Sequence, residues 1–445
     1  MKITSGSIPK TSMKYLTINK DCGNKVVVSI RVNVGSRDET DNISGISHCL
    51  EHMFFKGTEK YPSDKAINTE IYKCGGFFDA DTHYSTTTYY IYATKKCIEK
   101  VIEILSDLFY NSLFRPDDLE KEKKVVINEL NIGLSDITDC IYNECNKLSY
   151  KNTRLQKPVI GNVRSIRNLT VESLKNFINT YYKQNIIITI CGNIKNELSE
   201  KLIKKYFTKT CHYPVKSIPS IINDKKRILY KNHIFQQSKF RLKFIKRPET
   251  QQYVRISFPC YKYNDKKHYI VNYISELLTG YSGSKIEVSL RQERGLIYSS
   301  ESISEVYDEM GQFSISFSTD NDILLCLQLI FDEIFQLKYR VDKKEYSDTC
   351  SYLVERVKNN KDNIRWLHDF YSNELYYSKK IRSIDELIQH YKRVTIDDIH
   401  KIAKEMFVLS KCSICYSSKK NCNKSIYKLI DSFKNDKKNI KTKRK

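Results

Sequence analysis

Two histidines and a glutamate close together, His48, Glu51 and His52, are the residues of this chain best suited to chemistry. On a helix, residues four apart lie one above the other, so His48 and His52 can face a single metal ion. Glu51 emerges on nearly the same face, within reach of a water on that ion. Two neutral imidazoles and one more carboxylate form an open zinc site that keeps a position for this water. The spacing therefore predicts a zinc site that activates water.

The same spacing also arises by chance, and these residues alone do not distinguish a metal site from an ordinary helix face. The flanking residues favour a well-defined helix. Polar residues between Glu39 and Ser44, among them Asp41 and Asn42, are candidates to cap its start. Gly57 suits the end of a helix. The motif is thus expected on a short helix with defined ends.

A second predicted helix, Asp117 to Ile132, offers the third ligand. It contains Glu122 and Glu129, which are two helical turns apart and therefore share a face. Glu129 follows an apolar run at 125–127 and is expected on the inward side. Both glutamates are candidates for the metal site.

The His-x-x-Glu-His motif, followed by Phe-Lys-Gly-Thr at 55–58, resembles the pitrilysin/insulinase family of inverted-motif zinc metallopeptidases, especially its processing-peptidase branch. In that family the third ligand is a Glu separated from the second His by 76 residues. Here 76 residues (53–128) separate His52 from Glu129. The resemblance implies one zinc per chain and these roles: ligands His48, His52 and Glu129, general base Glu51, and Glu122 as a supporting acid that does not ligate.

Two further stretches extend the resemblance towards the substrate. Residues 74–82 resemble the family's edge strand, which pairs with the peptide backbone by strand addition. The substrate-binding residues implied there are Phe78, Asp79, Ala80, Asp81 and Thr82. Arg291 and Tyr298 match an Arg/Tyr element whose side chains, in the family, reach the scissile peptide from the second half. An exposed Arg and a packed Tyr are also common without such a role.

Asp79 departs from the family pattern, which usually has Asn at this position. Asn can donate a hydrogen bond to a substrate carbonyl, whereas an ionised Asp only accepts. A carboxylate beside the bound peptide is expected to favour Lys or Arg near the cut, because opposite charges attract strongly in a dry cleft. The net charge of +23 argues the other way, but it is distant and screened.

The resemblance implies two halves with one fold, and the sequence pattern agrees. Val26–Val32 is a β-branched run before the motif helix, and Tyr253–Phe258 is a similar run before a predicted helix, His268–Leu278, without ligands. Further strand-like runs follow at Thr86–Ala93 and Gln312–Ser318. We predict an α+β fold of two homologous α/β-sandwich domains, each a mainly antiparallel sheet covered by helices. The predicted divisions are a zinc-binding catalytic domain at 1–210, a linker at 211–250, a second domain without ligands at 251–418, and a partly disordered basic tail at 419–445.

The cysteines and the hydropathy pattern indicate the compartment. The 14 cysteines are scattered singly, as in proteins of a reducing compartment. Cys412, Cys415 and Cys422 could suggest a second zinc, but no matching second pair follows. No apolar run of about 18 residues is present and the N-terminus does not read as a signal or transit peptide. We expect no membrane span and a cytoplasmic location.

The sequence therefore predicts a zinc-dependent endopeptidase that cleaves peptides or unfolded polypeptide segments through a metal-activated water. The excess of Lys and Arg favours acidic partners, yet no nucleic-acid-binding motif accompanies it, so nucleic acid is not the expected partner. The resemblance implies that chains of this length work in pairs, as a homodimer or with a related partner chain. The alternative is a non-catalytic structural or peptide-binding subunit of a processing-peptidase-like complex; such subunits usually lose the ligands that this chain keeps.

Overall fold

The computed structural model describes residues 1–182, 186–215, 237–378 and 380–442, with side chains up to Lys434 in the last helix. The described strands are β1 (Lys2–Ser7), β2 (Lys14–Asn19), β3 (Lys25–Val32), β4 (Phe77–Thr82), β5 (Thr87–Thr94), β6 (Ile186–Gly192), β7 (Arg241–Lys246), β8 (Gln252–Cys260), β9 (Ser299–Val306), β10 (Gly311–Thr319) and β11 (Ser413–Ser418). All the strand-like runs predicted from the sequence are confirmed.

The described helices are α1 (Ile46–Phe54), α2 (Asp64–Lys73), α3 (Ile98–Asn111), α4 (Pro116–Ser135), α5 (Ile137–Ser149), α6 (Val163–Asn168), α7 (Val171–Tyr181), α8 (Asn196–Tyr206), α9 (His268–Thr279), α10 (Ile323–Gln336), α11 (Lys343–Asn360), α12 (Ile364–Tyr377), α13 (Ile384–Arg393), α14 (Ile396–Met406) and α15 (Asn423–Thr442). The predicted helices around the motif, over 117–132 and over 268–278 are confirmed. A π-helical turn, Glu287–Gln292, lies between α9 and β9.

The chain forms two compact units, each of which includes a segment from the other half of the sequence. Unit 1 holds the described parts of 1–132, 157–230 and 359–382, and unit 2 the described parts of 133–156, 231–358 and 383–445. Helix α12 therefore belongs to unit 1 and helix α5 to unit 2. The contiguous divisions at 1–210 and 251–418 stay predictions, and most of the predicted linker at 211–250 lies outside the described residues.

Unit 1 is built on a mainly antiparallel sheet in the order β1-β2-β6-β3-β5-β4. Among the strand pairs described, β2–β6 alone is parallel. Successive residues of β3 point to opposite faces of the sheet. Val28 and Ile30 pack in the main core with α1 and α3, whereas Ser29 and Arg31 bond to residues of α12 on the other face. Both faces of β3 are buried: β-branched residues predominate along the strand, and its two buried polar side chains, Ser29 and Arg31, have partners on α12.

Unit 2 repeats this plan. Its described strands have the order β7-β11-β8-β10-β9, with β7 and β11 parallel and the other pairs antiparallel. This is the order β2-β6-β3-β5-β4 of unit 1 without β1. Helix α5 packs on β8, β11 and β7, as α12 packs on β6, β3 and β2 of unit 1. The predicted α+β fold of two homologous domains is confirmed.

The C-terminal region differs from the sequence prediction. A partly disordered tail was expected from residue 419, but α15 begins at Asn423 and packs on α10. Ile426 and Ile430, four residues apart, are fully buried, and Phe433 contacts the ring of Phe331 at 5.6 Å between centroids. The lysine-rich composition concealed an apolar stripe at helical spacing. Among the helices described, none combines the length and apolarity needed to cross a bilayer.

Candidate metal centre

Helix α1 is held at its first turn by a buried carboxylate. Glu39 is only 2% exposed and accepts hydrogen bonds from the backbone N–H groups of Gly45 (2.6 Å) and Ser47 (2.8 Å). An acceptor at this end satisfies donors that have no partner within the helix. Among the polar candidates from Glu39 to Ser44, Glu39 is the one that accepts from these two donors.

A close contact between two glycines fixes where α1 begins. Gly45, the residue before the helix, has φ +93°, and a Cβ there would lie 2.5 Å from the Ile160 carbonyl oxygen. A Cβ on Gly161 would lie 2.3 Å from the Ser44 carbonyl oxygen. Only glycine tolerates both the left-handed backbone and the approach. The turn ending at Gly161 thus packs directly under the start of the motif helix.

The structure brings His48, His52 and Glu129 together. Glu129 Oε2 lies 3.8 Å from His48 Nε2 and 3.6 Å from His52 Nε2, and the two imidazole rings are 4.8 Å apart between centroids. Within the described part of the chain this is the group of His, Cys, Asp or Glu side chains that could share a metal. Cys412, Cys415 and Cys422 do not form such a group among the described residues.

These donors fit zinc. Zinc binds imidazole nitrogen and carboxylate oxygen at about 2.0–2.2 Å, so neighbouring ligand atoms of a tetrahedral site are about 3.4 Å apart. The distances of 3.6 and 3.8 Å from Glu129 Oε2 to the two Nε2 atoms are only slightly longer than this spacing. The Glu129 side chain is 41% exposed, which leaves the site open to solvent on its side. A three-ligand site with an open position is the arrangement of catalytic zinc.

Glu122 supports the site without facing the metal position. Its Oε2 accepts a hydrogen bond from His52 Nδ1 at 2.9 Å, and its Oε1 lies 2.7 Å from Lys56 Nζ. Because a carboxylate only accepts, the proton of neutral His52 is held on Nδ1 and the lone pair on Nε2 faces Glu129. Burial opposes ionisation of Glu122, but its bonds to His52 and Lys56 hold its pKa below the usual range.

The two histidines differ in their electrostatic surroundings. Burial, followed by repulsion from His52, lowers the pKa of His48 to about 4. Burial also opposes the charge on His52, but the hydrogen bond to Glu122 and the charge of Glu129 outweigh it and raise its pKa. A metal must therefore compete with a proton mainly at His52, whereas His48 presents a neutral imidazole, the form that binds metals.

Glu51 points to a partner on the edge strand. It accepts a short hydrogen bond from the hydroxyl of Thr82 at the end of β4. Burial raises the pKa of Glu51 to about 7, and the bond from Thr82 opposes the shift. A carboxyl group whose pKa is near neutrality is suited to take up and release a proton.

The predicted substrate strand, residues 78–82, is part of β4 at the edge of the unit 1 sheet. Phe78 stacks on Phe55 at 4.0 Å, so Phe78, Ala80 and Thr82 share the face of the sheet that α1 covers. Asp79 and Asp81 share the other face, towards Arg365.

Asp79 is predicted to lie beside the cut, and this stays a prediction. Its Oδ2 is 4.0 Å from Arg365 on the face away from Glu51, and its Oδ1 accepts a hydrogen bond from the Ala80 N–H at 2.9 Å. The alternation of side chains along β4 places it there, since Thr82, three residues later, faces Glu51.

Arg291 and Tyr298 lie on the surface of unit 2. Arg291, in the π-helical turn, pairs with Glu287 at 3.1 Å, and its side chain is 57% exposed. Tyr298 is also exposed and donates a hydrogen bond to Asp320 at 2.7 Å. Both side chains are accessible, and their role towards a peptide stays a prediction.

Sequence reasoning missed Lys56 and did not distinguish Glu39 from the other capping candidates. Lys56 follows His52 by four residues. Side chains at this spacing are neighbours on a helix, and this could have revealed the role of Lys56. Glu39 caps α1 from outside the helix, and no periodic signal marks it. Both act by holding the metal-binding side chains or their helix in place.

Two family profiles match this chain. The family profile described as insulinase (peptidase family M16) matches residues 14–163, and that of the peptidase M16 inactive domain matches residues 168–353. The second match covers a region that lacks the His-x-x-Glu-His motif. Together the two matches cover most of the chain.

Individual relatives have similar descriptions. A Rickettsia felis protein named as an uncharacterized zinc protease is 25% identical over 401 residues, 89% of this chain and 93% of that protein. Subunit beta of the mitochondrial-processing peptidase of Dictyostelium discoideum is 25% identical over 287 residues, 64% of this chain and 59% of that protein. The crystal structure of a Helicobacter pylori protease has the same fold, with TM-score 0.84, 18% identity and coverage of 94% and 99%. This chain belongs to the insulinase family, peptidase family M16.

Proposed function

We propose that this protein is a zinc-dependent endopeptidase. The observation that carries the proposal is the convergence of His48, His52 and Glu129 from two helices, with their ligand atoms all within 4.8 Å of one another. Glu51 extends from the same helix as the two histidines. The relatives named as zinc proteases support the choice of metal. We propose one zinc per chain.

Each side chain of the site has a distinct task in peptide hydrolysis. Zinc, when bound, supplies a water of lowered pKa and polarises the scissile carbonyl. Glu51 takes the proton from the attacking water and delivers it to the nitrogen of the breaking C–N bond, which leaves as an amine. Thr82 holds the carboxylate of Glu51 by its hydrogen bond. Glu122 keeps the proton of His52 on Nδ1.

The peptide would be held by the backbone of β4. Among the described strands, β4 pairs with β5 alone, so one side of its backbone remains available to a further strand. Strand addition by main-chain hydrogen bonds suits extended or unfolded peptides and places few demands on their sequence. We propose Phe78, Asp79, Ala80, Asp81 and Thr82 as the substrate-binding segment, acting mainly through their backbone.

Arg291 and Tyr298 are proposed to act on the scissile peptide. A guanidinium and a phenol are both suited to donating hydrogen bonds to the oxyanion that develops on the scissile carbonyl. Both groups are exposed, and each has an acidic partner: Arg291 pairs with Glu287, and Tyr298 donates to Asp320. Such partners leave further donor positions on Arg291.

The chain is also proposed to act in a pair, as a homodimer or with a related chain. A relative named as a subunit of a processing peptidase supports this. The same relationship keeps open the second candidate, a non-catalytic structural or peptide-binding subunit. The complete set of His48, His52, Glu129 and Glu51 favours the enzyme, because a binding subunit has no need of a metal site with a base beside it.

A peptide library read by mass spectrometry tests the proposal. The zinc-loaded protein is expected to cleave internal peptide bonds, to lose activity after treatment with a chelator, and to regain it when zinc is restored. Zinc-loaded protein that binds the peptides without cutting them would favour the non-catalytic subunit.

A further inference from the structure

Arg365, in the first turn of α12, ties together the two strands at the edge of the unit 1 sheet. Its Nη2 lies 2.9 Å from Asp81 Oδ2 and 2.7 Å from the Tyr90 hydroxyl, and its Nη1 lies 2.8 Å from the Tyr92 hydroxyl. The guanidinium carbon is 3.8 Å from the centre of the Tyr90 ring. The planar fork of arginine makes several such bonds at once while stacking on an aromatic face, which lysine cannot do.

A chain of hydrogen bonds that ends in the core holds Arg365 itself in place. Its Nε donates to Asp369 Oδ2 at 2.8 Å, and Asp369 Oδ1 accepts from His368 Nδ1 at 2.8 Å. His368 is 1% exposed, and its Nε2 lies 2.6 Å from the hydroxyl of Ser29 on the central strand β3. Ser29 is fully buried, so no peptide reaches it, and these three side chains act as an anchor for α12.

This anchor matters because β4 lies at the edge of the sheet. Within the described residues it pairs with one neighbour, β5, and its other edge carries no strand. Adjacent residues of β4 are held from opposite faces, Asp81 by Arg365 and Thr82 by Glu51. The strand proposed to pair with substrate is thus fixed by side chains on both faces of the sheet.

We infer that Arg365 is a positioning residue for peptide binding, which holds β4 in the extended form that a substrate strand can join. This inference rests on the proposed peptidase function. An ordered strand gives up no conformational entropy when the peptide pairs with it, so preorganisation favours binding. A bound peptide orders β4 in its own right, and the cost of losing Arg365 therefore falls on KM and much less on kcat.

The test compares Arg365→Met and Arg365→Lys with a matched control, Asn373→Ala. Asn373 also lies on α12, but its side chain accepts a hydrogen bond from Arg31 of the central strand β3 at 2.7 Å. Both Arg365 variants are expected to raise KM for an extended peptide about tenfold while kcat stays within about threefold, because binding loses preorganisation. The control is expected to match the wild type in both constants.

Two further readouts separate strand positioning from a general loss of structure. Hydrogen exchange of the β4 backbone amides is expected to be about tenfold faster in Arg365→Met than in the control, because local opening is no longer opposed. Acetohydroxamate, a zinc ligand too small to pair with β4, is expected to inhibit the variant and the wild type equally, whereas an extended peptide hydroxamate inhibits the variant less.

Unchanged KM and unchanged β4 exchange in Arg365→Met, with an active wild type, would overturn the inference. An inactive wild type would instead count against the proposed peptidase function, while the exchange experiment would still decide whether Arg365 orders the strand. If Arg365→Met does not fold, Asp81→Asn removes only the charged acceptor on β4. It is expected to change KM and exchange in the same direction by a smaller factor, and no change in either would reject the positioning role.

Discussion

His52 donates from Nδ1 to Glu122 at 2.9 Å, and this bond determines which nitrogen faces Glu129. The same carboxylate lies 2.7 Å from Lys56 Nζ. Glu122 is thus engaged on both oxygens by groups other than a metal, although it shares a helix face with Glu129. Spacing alone left both glutamates as candidates, and hydrogen bonding leaves Glu129 as the candidate ligand.

Replacing Glu122 tests this support. Glu122→Ala frees the His52 ring and removes the carboxylate that fixes its tautomer, so zinc affinity is expected to fall about 10–100-fold. Glu120→Ala is the matched control, because Glu120 lies on the same helix but pairs with Lys123 at 2.7 Å. Titration with a competing chelator measures both. Equal zinc affinity in the two variants would show that Glu122 does not support the site.

Replacing Thr82 tests the contact with the general base. Thr82→Val removes the hydroxyl that donates to Glu51, and loss of a donor to the charged form raises the pKa of that carboxyl. Since the base works as the carboxylate, the acidic limb of the kcat/KM profile is expected to move to higher pH. Thr82→Ser keeps the hydroxyl and should leave the limb in place. A Val profile that overlies the wild-type profile would separate Thr82 from the base.

Arg291 and Tyr298 are tested by their effect on turnover. Arg291→Ala and Tyr298→Phe are each expected to lower kcat about 10²-fold, a typical cost of losing an oxyanion donor. Zinc content should not change. Arg294→Ala, an exposed neighbour that pairs with Glu293 at 2.8 Å, serves as the control and should keep full turnover. If all three variants behave alike, the proposed role of the Arg/Tyr element is wrong.

Asp79 calls for a prediction different from the one that the sequence suggested. Its carboxylate lies on the Arg365 face of β4, so it would meet alternate residues of a paired peptide and not those facing Glu51. Asp79→Asn is therefore expected to weaken a preference for Lys or Arg only at those alternate positions. The cleavage profile of a peptide library measures this. A change confined to residues on the metal face would contradict the assignment of faces.

Much of the fold could be predicted because its strands and helices carry strong local patterns. The β-branched runs at 26–32 and 253–258 became β3 and β8, and the motif and Glu129 fell on two helices as their spacing indicated. The strand order also agrees with the implied duplication. These features depend on residues near one another in sequence or on a spacing that the resemblance supplied.

Other features depend on contacts that no local pattern marks. Arg365 meets Asp81 across more than 280 positions of sequence, and His368 bonds to Ser29 from the other half of the chain. Helix α15 was not predicted because its sequence contains more lysines than packed apolar residues. The contact of Asp79 with Arg365, on the side of β4 away from Glu51, likewise joins residues far apart in the sequence.

The central claim is that Glu51 is a base beside a zinc held by His48, His52 and Glu129. Zinc per chain and peptide hydrolysis, measured together on Glu51→Gln and His52→Ala, test it most directly. The account predicts that Glu51→Gln keeps about one zinc per chain and loses hydrolysis, because Glu51 is not a ligand, whereas His52→Ala loses both. Glu51→Gln protein that lost its zinc, or that still cleaved peptides at the wild-type rate, would contradict the account.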